Sequence, residues 1–190
     1  MKIPAVLSKL ERAYQARAKA RREVIARANE ALGHSKRAIF ALHRDDLQTS
    51  AALLEKAAEL FQQNERLFKL HADLRYEGAH HAALEEYAEA LLFASYLEKG
   101  TLSTIDARAM EADIYFAGLS DTTGEILRYA LRQVTLGNTD ALKPARETVE
   151  MIIEFFVSLD LTGYLRTKFD QAKKNLHRLE EMSYDLSIRR

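Results

Sequence analysis

The stretch PAVLSKLERAYQARAKARREVIARANEALGHSKRAIFALHR, residues 4–44, decides the fold class. Its apolar positions are Val6, Leu10, Tyr14, Ala18, Val24, Ile25, Ala28, Leu32, Ile39 and Leu42. Spacings of three, four and seven recur, so one stripe of a long α-helix is buried along its length. Gly33 is the single interruption, a site where the helix bends or weakens by ~1 kcal/mol relative to Ala. Nothing in the stretch alternates with the period of two that a strand requires.

The rest of the chain repeats this pattern with short breaks. Asp45–Asp46 and Thr49–Ser50 offer N-caps for a second helix over 48–72. Gly78 separates it from a third over 79–98, which stops at Lys99–Gly100, a cation in the last turn followed by a glycine. Ser103 with Asp106 resembles a capping box that opens a short fourth helix. A break at Gly118 leads to a fifth over 120–136, closed by Gly137–Asn138. A sixth spans 140–160, and Gly163 separates it from a seventh over 164–186. The expectation is an all-α, seven-helix bundle forming one domain over residues 1–190.

Composition agrees. The 190 residues hold 29 Ala and 27 Leu against 7 Gly and 2 Pro, which excludes turn-rich sandwiches and barrels as well as disordered chains. There is no cysteine, hence no disulfide framework, zinc–thiolate site or thiol nucleophile. The start, MKIPAVLSKLERAYQ, lacks the apolar core of a signal peptide. No run approaches the ~20 apolar residues that cross a bilayer. A soluble, cytoplasmic protein without membrane contact is expected.

Lys plus Arg and Asp plus Glu number 28 each. This formal neutrality argues against a nucleic-acid binder only until the charges are placed. Residues 1–44 carry a net +8, residues 45–100 a net −6 and residues 101–190 a net −2. The basic first helix attracts phosphates over a Debye length of ~8–10 Å. Arg17, Lys19, Arg21 and Arg22 form its densest cluster, with Lys36, Arg37 and Arg44 further along. The alternative is a solvated basic face paired with the acidic helices.

Two carboxylate pairs stand out. Glu86 and Glu89 are three apart in LEEYAEALLFASYLEK (84–99), so they share a helical face among Leu84, Tyr87, Leu91, Leu92, Phe93 and Tyr96. Asp121 and Glu125 are four apart in SDTTGEILRYAL (120–131), although Asp121 is also placed to cap that helix. Two adjacent helices each presenting such a pair make an all-oxygen cage, suited to Mg²⁺ or Mn²⁺ rather than zinc. Solvated glutamates at this spacing are the structural alternative. A di-iron bundle needs two Glu-x-x-His motifs. Only Glu77–His80 fits, across a helix break, so that reading is rejected. The six histidines show no catalytic dyad, and His80–His81 read as surface residues. Tyr87 and Tyr96 are candidates for base stacking or for the core. No glycine-rich phosphate loop, G-x-S-x-G or HExxH occurs.

Four stretches together resemble the translin family, in particular its TRAX branch: SKRAIFALHR (35–44), EEYAEALLFASYLEKGTLS (85–103), YFAGLSDTTGEILRYAL (115–131) and YDLSIRR (184–190). They stand in the family's order and across nearly the whole chain. The resemblance implies a seven-helix fold that assembles into a closed, hollow oligomer, usually an octamer. It implies single-stranded RNA or DNA held in the interior, and an Mg²⁺-dependent endoribonuclease activity. The family's catalytic acids fall, by motif match, on Glu86, Glu89, Asp121 and Glu125. Translin-type subunits lack most of this set, which places the chain with the catalytic branch, while YDLSIRR is closer to translin. Without TRAX's longer termini and insertions the chain looks like a compact prokaryotic-type member, serving alone as a homo-oligomer. A non-catalytic single-strand-binding oligomer of translin type is the alternative.

Overall fold

The structure is a computed structural model that describes residues 4–102 and 110–188. These residues form six α-helices and no strand. They are α1 (Ala5–Leu42), α2 (Leu47–Phe68), α3 (Gly78–Lys99), α4 (Ala112–Thr135), α5 (Leu142–Val157) and α6 (Gly163–Ser187). Short 3₁₀ turns, Ala72–Tyr76 and Thr139–Ala141, lead into α3 and α5. No helix among the described residues is long and apolar enough to cross a membrane.

The local signals work as physical chemistry requires. Asp46 caps α2 by accepting a 3.0 Å hydrogen bond from the Thr49 amide. Gly100 closes α3 in the left-handed conformation (φ 69°), its amide donating to the Tyr96 carbonyl at 2.8 Å. α1 packs on α2 and α3, α3 on α4, and α4 on α5 and α6. The central core joins Ile39 and Leu42 of α1, Phe93 and Tyr96 of α3, Ile126 of α4, Val149 of α5 and Leu179 of α6.

The described residues form six helices where seven are expected along the chain. The break read at Gly118 does not exist: α4 runs through it from Ala112 to Thr135. The reason is a close approach. A Cβ on Gly118 would lie 2.8 Å from both the Ala88 Cβ and the Glu85 carbonyl oxygen of α3. Glycine is there because the α3 and α4 backbones touch, and not to end a helix. Asp121 therefore lies inside α4 and caps nothing. The short fourth helix, with its Ser103–Asp106 box, lies outside the described residues. Gly33 likewise leaves α1 unbroken, its missing Cβ facing only the tip of Arg37.

A second correction concerns the stripe of α1. From Val24 onwards it is buried or half-buried, but Val6, Leu10 and Tyr14 are 60–73% exposed. α1 has 38 residues and α2 only 22, so at ~1.5 Å per residue the first turns of α1 outrun their partner. His80, read as a surface residue, is also buried. It stands edge-on to Phe61 and Phe68, and burial drives its pKa down to about 4.

Candidate functional site

The contact at Gly118 fixes the site. Because α3 and α4 touch there, Glu85, Glu86 and Glu89 on one helix face Asp121 and Glu125 on the other. Glu89 is 9% exposed and makes no hydrogen bond or ion pair among the described residues. Burial, reinforced by the charges of Asp121, Glu86 and Glu125, pushes its pKa up to about 9. A carboxyl that holds a proton at neutral pH is a hallmark of crowded acidic sites. Glu86 is raised too, chiefly by burial, while Lys36 of the basic helix, 3.9 Å away, pulls the other way.

The two α4 carboxylates are engaged by residues that local spacing does not point to. Asp121 bonds to the ammonium of Lys168 on α6. Lys168 also donates to Glu85 at 2.5 Å, and Glu85 accepts a 2.8 Å bond from the Tyr164 hydroxyl. Burial opposes the charge on Lys168, but its bonds to Asp121, Glu85 and Tyr164 outweigh that and hold its pKa above the ordinary lysine value. Asp121 is shifted upward, burial exceeding the opposing pull of Lys168. The Ser120 hydroxyl donates to the Lys168 main-chain oxygen at 2.8 Å, and Asn175 donates to Thr123 at 2.8 Å. These bonds pin α6 to α4 beside Asp121. Glu125 bonds to Nε2 of His43, a buried residue just past α1 whose ring packs on Phe93. Arg128 lies 3.7 Å from Glu125.

The donors are hard oxygens, the type that Mg²⁺ and Mn²⁺ prefer. The Glu89 carboxyl, buried and without a hydrogen bond or ion pair among the described residues, is the group such a cation would satisfy. Among the described residues, however, no three Asp, Glu or His side chains are already gathered as a metal cage. Lys168 and His43 hold Asp121 and Glu125 in its place. The residues fit a divalent cation in chemistry, with two of the four donors engaged elsewhere.

The basic residues divide. Arg17 bonds to Asp73 and Arg21 to Glu77, both in or beside the 3₁₀ turn before α3, so half of the densest cluster is internally paired. Lys19 and Arg22 are exposed with no such partner among the described residues. Arg37 bonds to His34 at 3.0 Å, Lys36 faces Glu86, and Arg44 is exposed at the end of α1. Of the two tyrosines weighed for stacking, Tyr96 is buried, edge-on to Tyr129, and Tyr87 is half-buried against Phe61. Both are core residues.

The Translin family model matches residues 19–190. The chain belongs to the Translin family. It is 29% identical over 147 residues to the Translin-associated protein X homolog of Schizosaccharomyces pombe, a match covering 70% of this chain and 62% of that protein. The chain thus spans less than two thirds of that relative's length. Two solved structures share its fold. That of apo-NeC3PO is 22% identical with a TM-score of 0.85, covering 95% of this chain and 97% of the other. That of an AfC3PO–duplex RNA complex is 20% identical with a TM-score of 0.85, covering 97% of both. At this identity they establish the translin-type fold of the chain.

Proposed function

We propose that this Translin-family chain is an Mg²⁺-dependent endoribonuclease, Mn²⁺ serving as well, that binds and cleaves single-stranded RNA inside a closed homo-oligomeric shell. The observation that carries the reading is Glu89: a buried carboxyl with no hydrogen bond or ion pair among the described residues, next to Glu86 on its own helix and facing Asp121 and Glu125 across the α3–α4 contact. A divalent cation bound there would acidify a water and neutralise charge on the phosphate. Glu86, Glu89, Asp121 and Glu125 would hold it. Lys168 and His43 orient Asp121 and Glu125, and Glu89 keeps a proton on its carboxyl until the site fills. Lys19 and Arg22 on α1 and Arg44 just past its end, all exposed, supply contacts to the RNA backbone, which position a strand without reading its sequence.

The shell is supported by the start of α1. Val6, Leu7, Leu10 and Tyr14 are all more than half exposed, an apolar run that a single chain leaves uncovered. A homo-oligomer, an octamer by family resemblance, would cover it. A relative of the same fold was solved with duplex RNA, so the strandedness of the substrate belongs in the test.

One observation favours a second reading, a non-catalytic single-strand-binding oligomer. Lys168 and His43 already occupy two of the four acids. Labelled single-stranded and duplex RNA, each incubated with Mg²⁺, with EDTA and with Glu89→Ala, separates the two. The proposal expects cleavage of the single strand in the Mg²⁺ arm of the unaltered protein alone. Equal cleavage in all arms overturns the site, and binding without cleavage supports the second reading.

A further inference from the structure

Beside the acidic cluster lies a basic cavity of about 390 Å³ lined by Phe40, His43, Arg44, Arg128 and Arg132. Its size falls within the ~300–1,000 Å³ of small-ligand pockets. Phe40 is 55% exposed although it sits on α1 between the buried Ile39 and Ala41. Its ring is thus turned away from the core, and the Arg128 guanidinium lies 5.4 Å from its centroid. Arg132 is held by Asp45 at 3.1 Å and Arg128 leans on Glu125 at 3.7 Å. Arg44 is exposed beside Asp46, its side chain with no hydrogen bond or ion pair among the described residues. An open aromatic ring beside exposed guanidiniums is the chemistry that holds an unpaired nucleotide, the base on the ring and the phosphate on the cations.

The position matters as much as the composition. His43 belongs to the wall of the cavity and also bonds to Glu125. Arg128 both approaches Glu125 and lines the cavity. A strand seated here continues directly onto the carboxylates.

We propose that this cavity is a nucleotide subsite, in which a base of single-stranded RNA next to the scissile bond stacks on Phe40 while Arg44 and Arg132 hold its phosphate. The subsite rests on the reading that RNA is cut at Glu86, Glu89, Asp121 and Glu125. It is sequence-tolerant, because every base has a face that stacks.

The test uses the full chain in EDTA and a single-stranded RNA with one 2-aminopurine beside the cleaved bond. Binding of the unaltered protein should quench the 2-aminopurine. Phe40→Ala should weaken binding about fivefold or more and abolish the quench, and Phe40→Trp should restore both. Arg44→Gln should lower the slope of log affinity against log salt by ~0.7, the share of one phosphate contact on a single strand. Affinity and quench unchanged in Phe40→Ala overturn the subsite. So does a changed assembly mass by light scattering with RNA binding per chain intact, which would make Phe40 a contact between copies. Mg²⁺-dependent cleavage alongside unchanged Phe40→Ala binding removes the subsite alone. Absence of RNA binding by the unaltered protein overturns the subsite and the nuclease reading together.

Discussion

The ammonium of Lys168 bonds to the carboxylate of Asp121, 47 residues away and on a neighbouring helix. Lys168 is the site's own counter-cation, so a divalent ion bound as proposed would compete with it for Asp121. Lys168→Met should tighten Mn²⁺ binding about fivefold, the equivalent of ~1 kcal/mol. The same variant should lower the stability of the metal-free protein by about 1–3 kcal/mol, since Asp121 and Glu85 lose their shared donor. Mn²⁺ titration by electron paramagnetic resonance and urea unfolding check the two halves. Weaker Mn²⁺ binding in the variant would show that Lys168 helps the cation rather than excluding it.

The protonated Glu89 makes stability depend on pH. In the unfolded chain it ionises near its ordinary value of 4.5, and in the folded chain it holds its proton up to about 9. Below that window both states carry the proton and it contributes nothing. Inside the window the folded state binds more protons, so stability falls as pH rises, at up to ~1.4 kcal/mol per unit. Asp121 and Glu86, also raised, act in the same direction. Lys168 is raised above the ordinary lysine value, so its contribution is lost only at strongly alkaline pH. Urea unfolding in EDTA at pH 5.5 and 8.5 should show this fall, and Glu89→Gln should flatten it. An equal slope in both proteins would mean that Glu89 ionises freely in the fold.

Gly118 sets the spacing of the two carboxylate helices. Gly118→Ala places a methyl 2.8 Å from the α3 backbone at Glu85. Overpacking of this kind costs about 1–3 kcal/mol, more than the ~1 kcal/mol that alanine returns in helix propensity. Thermal unfolding should show a net loss, and Mn²⁺ affinity should fall as α3 moves from α4. A variant as stable as the parent, with unchanged affinity, would show that the contact does not govern the site.

Much of this was legible in the residues. The helical periods of α1, α2 and α3 and the stop at Gly100 follow from local chemistry, and so does the sharing of one face by Glu86 with Glu89 and by Asp121 with Glu125. Gly118 is not legible in the same way, because a glycine that breaks a helix and one that admits a neighbouring backbone look alike in one dimension. Lys168 and His43 are hidden for a related reason: they meet their acids across 47 and 82 residues, respectively, and no local spacing encodes those meetings. His80 reads as polar, yet the rings of Phe61 and Phe68 surround it, an outcome of how α2 packs on α3. Val6, Leu10 and Tyr14 have the period of a buried stripe but are exposed among the described residues. Their exposure is what the proposed homo-oligomer would cover.

The nuclease reading is tested most directly at the scissile phosphate. Sulfur in place of one non-bridging oxygen there binds Mg²⁺ poorly and the softer Mn²⁺ or Cd²⁺ well. Single-turnover cleavage of such a single-stranded RNA should be slow in Mg²⁺ and restored by Mn²⁺ or Cd²⁺, with no restoration in Glu89→Gln. Cleavage indifferent to the metal, or persisting in Glu89→Gln, would contradict a metal held by Glu86, Glu89, Asp121 and Glu125.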